Sequence, residues 1–158
     1  MVKLNFASLA SSAESARTIT EPRDLFNALP EKASNLVYLR GPQDQVLAAW
    51  DQRRDERDVV IKMNTGGGKT LVGLLVARSW LNEGVSPVAY LVPDDFLVAQ
   101  VLKEGERLGI QCVAGPDDAA YQQGRAVLVG TFAKLFNGFS VFGVGGSVSK
   151  TPRFALGG

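Results

Sequence analysis

The 158-residue chain has no histidine and a single cysteine, Cys112. Without histidine there is no Ser-His-Asp triad and no Cys-His nucleophile pair. With one thiol, this chain alone builds neither a disulfide nor a zinc cage. A lone cysteine suits a reducing compartment, and the expectation is a cytoplasmic protein. Long apolar runs are lacking too: the longest stretch of apolar residues and glycine, 71–77, is far short of the ~20 residues that span a bilayer. No membrane span is expected. Near the N-terminus, Leu4, Phe6 and Leu9 are interrupted by Asn5, Ser8, Ser11 and Ser12, so the continuous apolar core of an export signal does not form. Charge of one sign also runs out, because no aspartate or glutamate follows Asp118.

What is present is a globular composition. Hydrophobic residues make up 46% and charged residues 21%, with a net charge of +1, which fits one domain with a real core and excludes a dedicated basic nucleic-acid module. Three regions follow: residues 1–35, a Ser/Ala-rich leader and short helix; 36–142, the folded domain; and 143–158, a glycine-rich tail. Thr20 is placed to cap the first helix, with Pro22 in its first turn and Leu25, Phe26 and Leu29 on one side. A second helix is expected from Gln43, with Val46, Leu47 and Trp50 apolar, and the charged stretch 51–58 reads as its solvated end. Residues 59–63, rich in β-branched side chains, predict a strand buried on both faces. A largely buried helix follows Thr70 and closes near Gly84. Strands are then expected at 88–92, 110–114 and 126–129, and helices at 96–108 and 132–136. The region 138–158 is too glycine-rich to predict a regular element. Strands alternating with helices argue for an α/β fold whose mostly parallel sheet is covered on both faces.

The chemistry concentrates at residues 63–70, Met-Asn-Thr-Gly-Gly-Gly-Lys-Thr, between the expected strand and helix. Glycines at Gly66, Gly67 and Gly68 allow backbone N–H groups to turn inward around a phosphate, and the following helix start adds its positive dipole end. Lys69 supplies a mobile cation for the β and γ oxygens, and the Thr70 hydroxyl a Mg²⁺ ligand. Met63 stands where the general phosphate-loop pattern opens with glycine. The bland reading, a glycine-rich connection with an incidental Lys-Thr, leaves Lys69 without a task.

With this loop, the sequence resembles the first RecA-like motor domain of superfamily 2 helicases, the DEAD/DEAH-box-like group, over residues 36–138. There the loop often reads Ala-x-Thr-Gly-x-Gly-Lys-Thr, which Thr65, Gly66, Gly68, Lys69 and Thr70 match. The resemblance implies a P-loop NTPase three-layer fold, incomplete here, with ATP and Mg²⁺ as cofactors. It also implies a nucleic-acid partner and a second motor domain of the same protein. Leu39, Arg40, Gln43 and Leu47 look like the motif whose glutamine reads adenine, since one side-chain amide both donates and accepts. Phe26 is either the aromatic that stacks on the base in such proteins or a core residue. Pro93, Leu97 and Gln100 match a nucleic-acid-contacting motif whose arginine is replaced here by Asp95. Residues 127–135 resemble the next such motif, with Thr131 and Lys134 as candidate strand contacts.

One requirement is unmet. Such a motor holds Mg²⁺ through a carboxylate at the end of a neighbouring strand, and the acids after strand 88–92, Asp94 and Asp95, fit the nucleic-acid motif better. The expectation is therefore a chain truncated before the acidic Walker B motif: the ATP-binding lobe of a full-length ATP-dependent helicase or translocase, inactive alone as an ATP hydrolase. An unrelated P-loop ATPase or kinase fragment, and a nucleotide-binding scaffold without motor activity, are the alternatives.

Overall fold

The structure, a computed structural model, describes residues 18–136 and 155–157. The expected leader up to residue 17, the last residues of the expected domain, 137–142, and residues 143–154 and 158 of the expected tail lie outside that range. Helix α1, Pro22–Ala28, is capped by Glu21 rather than by Thr20: the Glu21 carboxylate accepts from Asp24 N at 2.7 Å. Helix α2, Gly41–Asp51, begins two residues earlier than expected, with Pro42 in its first turn and Arg40 as its N-cap. Helix α3, Lys69–Asn82, is buried around most of its circumference, as its apolar composition requires. Gly84, at φ 84°, turns the chain out of it.

Strand β1, Val88–Val92, leads into helix α4, Asp95–Leu108, which Gly109 ends in a left-handed conformation. Strand β2 is only Cys112–Val113; the short helix α5, Ala119–Gln122, is capped by Asp118; strand β3 is Val127–Thr131; and helix α6 is Phe132–Phe136. Strand β4, Ala155–Gly157, pairs with β1, so the expectation of no regular element beyond residue 138 is corrected at these three residues. All pairings are parallel, in the order β2-β3-β1-β4.

This order decides the layers. The chain moves from β1 past β3 to β2 through α4, then reverses direction to β3 through α5. Right-handed crossovers in opposite directions put their helices on opposite faces. Accordingly Val88, Val92, Val127 and Val129 join the main core with α1 to α4, whereas Ala89, Leu91 and Leu128 pack with Ala120 and Tyr121 of α5. Strands β1 and β3 are buried on both faces, which suits their apolar runs.

The strand expected at 59–63 is not formed. Val59, Ile61 and Met63 pack on the main core, but Val60 is 90% exposed and no described strand pairs with the segment. β-Branching favours the extended backbone, but only a partner strand makes a ladder of it. The solvated helix end expected at 51–58 also needs correction at Arg54, whose side chain is 17% exposed. It pairs with Glu83 at 2.6 Å, lies 5.0 Å over the Trp50 ring, and hydrogen-bonds Ser79 Oγ and the Thr20 carbonyl. It thereby fastens the ends of α2 and α3 together.

Candidate functional site

The glycine loop owes its shape to two positive φ angles, 77° at Gly66 and 84° at Gly68. Gly67 N donates to Asn64 O at 3.0 Å and closes the turn. Gly68 is the N-cap of α3, and no side chain caps that helix start. The first-turn amides therefore face outward without a side-chain acceptor, which is the arrangement that attracts an anion. Thr65, Gly66 and Lys69 are exposed, so the cradle is an open surface. A cavity of about 880 Å³, lined by Leu29, Arg78, Gly105, Cys112 and Arg125 among others, includes no residue of the loop.

Gln43 is 5% exposed and lies against this loop. Its Nε2 donates to Gly67 O at 3.1 Å and its Oε1 accepts from Arg40 N at 3.0 Å. A Cβ on Gly68 would lie 2.1 Å from Gln43 Nε2, so glycine is required there for space as well as for φ. Each polar atom of Gln43 keeps one further valence, a second N–H and a second lone pair.

Thr70 has a neighbour that sequence reasoning missed. Burial pushes the Tyr90 phenol above its usual range, and the Thr70 side chain beside it pulls the other way. Tyr90 reaches α3 because Gly73 leaves room: a Cβ there would meet the ring at 2.5 Å. The small residue three positions after Thr70 was the available signal. Phe26 is fully buried in the core beneath Lys32, which settles it as a packing residue and not a base-stacking one.

At the sheet's C-terminal edge, Val92 and Thr131 are register partners, which brings the segments after β1 and β3 side by side. Pro93, Phe96, Gln100, Phe132 and Lys134 are exposed around this edge. Thr131 is buried, and its hydroxyl accepts from Lys134 N at 3.3 Å. Asp94 Oδ1 caps α4 through Leu97 N at 2.8 Å, and Asp95 Oδ1 pairs with Lys134 Nζ at 2.7 Å. Both acids are thus engaged at the helix start and with α6. Among the described residues no group of three or more His, Cys, Asp or Glu could hold a metal, and no helix is long and apolar enough to cross a membrane.

A parallel α/β sheet, with a glycine loop heading a buried helix, defines a P-loop fold of the RecA-like type. The family model for DEAD/DEAH box helicases matches residues 40–144, well over half of the chain, and the chain belongs to that family. It carries an ATP-dependent helicase-type motor domain. No curated protein and no solved structure matches it.

Proposed function

We propose that this chain is the ATP-binding lobe of a nucleic-acid helicase or translocase, and that residues 63–70 grip the triphosphate. The observation that carries this reading is the start of α3: left-handed Gly68 with no side-chain cap, followed at once by Lys69 and Thr70. A phosphate accepts from the amides of this turn, and Lys69 neutralises the β and γ oxygens. The Thr70 hydroxyl, Mg²⁺ ligand in this reading, lies beside the Tyr90 phenol. The metal, when bound, neutralises phosphate charge. Gln43 reads adenine with its remaining N–H and lone pair, while its other bonds keep Gly67 and Arg40 in place.

The nucleic-acid strand runs over the edge formed by Pro93, Gln100 and Lys134, with Thr131 fixing the start of α6. Hydrolysis requires an acid beside the metal and the groups of a second motor domain. Asp94 and Asp95, the acids nearest the end of β1, have other partners. These 158 residues alone therefore bind nucleotide and turn it over very slowly.

Fluorescent-nucleotide titration with wild type and Lys69→Ala tests the reading. Loss of a charge-assisted contact predicts an affinity lower by about tenfold or more. Equal binding by both proteins would refute the phosphate site, and robust ATPase turnover by the wild-type chain would refute the division of labour.

A further inference from the structure

Two carboxylates stand at the start of α4, and each already holds a group of the kind that binds a backbone phosphate. Asp94 accepts from the Leu97 amide at 2.8 Å, and Asp95 accepts from Lys134 Nζ at 2.7 Å. Helix-start amides and lysine ammonium groups are ordinary phosphate ligands. The two aspartates therefore stand to these groups as strand phosphates would.

They differ in what they do for the fold. Asp94 is the N-cap, so α4 keeps its start without Asp95. Asp95 and Lys134 join α4 to α6 across 39 positions of chain, and both remain well exposed, at 73% and 67%. A surface pair of this kind is weak and exchangeable, since water and salt screen it. Another anion can take the lysine.

Building on the reading of this edge as the nucleic-acid face, we propose that Asp95 is an affinity-setting residue, an internal stand-in for a strand phosphate that holds Lys134 until a phosphate of the nucleic acid displaces it. Two consequences follow from the charges. Lys134 contributes little to wild-type affinity, because its gain from a phosphate is offset by losing Asp95. The displaced carboxylate then lies beside the bound strand and repels it. The edge thus resists casual association with polyanions and favours a strand held elsewhere by the motor as well.

The test is anisotropy titration of labelled oligo-dT and oligo-U over a range of salt concentrations. It compares wild type, Asp95→Asn, Lys134→Ala and the double variant. Asparagine keeps the size of Asp95, and Asp94 keeps the helix start. Asp95→Asn should bind about fivefold more tightly at low salt, the equivalent of one freed surface pair. The slope of log affinity against log salt should steepen by about 0.7, as for one further phosphate contact on a single strand. Lys134→Ala should change little by itself and should remove most of the gain in the double variant, leaving only the share that comes from relieved repulsion. Nucleotide affinity should be unchanged in Asp95→Asn.

If Asp95→Asn binds no more tightly, or keeps its full gain without Lys134, the stand-in role is overturned while the nucleic-acid face survives. If no variant binds either oligonucleotide at low salt although nucleotide still binds, the nucleic-acid face falls and the stand-in role with it.

Discussion

Gln43 Nε2 donates to the carbonyl oxygen of Gly67 at 3.1 Å, across 24 positions of chain. The start of α2 is thereby tied to the middle of the phosphate loop by a nearly buried amide. A loop with two left-handed glycines has much conformational freedom to lose, and a fixed external donor removes part of it before any ligand arrives. The residue that would read the base also holds the loop that would grip the phosphates.

Replacing Gln43 with alanine removes this bond and the one to Arg40 N. Stability should fall by about 1–2 kcal/mol, because a partly buried carbonyl and an amide lose their partners. Urea denaturation measures that loss. Adenine over guanine preference in nucleotide titrations should fall with it; unchanged stability and unchanged preference together would contradict both roles.

Gly68→Ala places a Cβ 2.1 Å from Gln43 Nε2 and forces an L-residue to φ 84°. The backbone part alone costs about 1 kcal/mol or more, and the overlap adds to it. In a Gln43→Ala background the overlap disappears and only the backbone part remains. Alanine at residue 68 should therefore cost less there than in wild type, by thermal or urea unfolding. Equal costs in the two backgrounds would show that the two residues do not meet.

Arg54→Ala strips the shared partner from Glu83, Ser79, the Thr20 carbonyl and the Trp50 ring. The expected loss is about 2–3 kcal/mol, large for a residue in a charged turn, because the groups left behind are partly buried. Arg53, whose pair with Glu56 is exposed, is the matched control and should shift stability by less than about 0.5 kcal/mol when changed to alanine.

The alkaline limb should be set in part by Cys112. Burial beneath α4, where Gly105 leaves room for the sulfur, pushes the thiol up to about 12 from an ordinary value of 9.0. The folded value lies above the unfolded one, so the contribution of the neutral thiol is complete below about pH 9. It is lost progressively as pH rises and is gone by about 12. Tyr121, also pushed up to about 12 by burial, acts in the same direction. Denaturation at pH 7 and pH 10 should show a smaller pH loss for Cys112→Ala than for wild type. Wild-type Cys112 should also react slowly with iodoacetamide at pH 8, where thiolate is scarce.

Much of the scaffold was legible locally. Strand 88–92 and the short helix at 132–136 lie where apolar runs and turn residues place them, and α4 differs from its expected span by one residue because Asp94 caps it. These features depend on neighbours within a few positions, where capping, glycine conformation and periodicity act. The glycine loop was legible for the same reason: its positive φ angles and uncapped helix start are consequences of its own residues.

The amino-acid order by itself determined the glycine loop that ends in Lys69 and Thr70 and the alternation of strands and helices, and these 158 residues offer no histidine. The tertiary structure decided which surfaces meet: Gln43 with Gly67, Tyr90 with Thr70, Asp95 with Lys134, and Arg54 with the end of α3. It also decided that the segment 59–63 has no partner strand among the described residues while Ala155–Gly157 joins β1. Hydrogen-bond ladders and ion pairs need a second partner brought from far along the chain. That partner's position is fixed by how the sheet and helices pack, which no local pattern encodes.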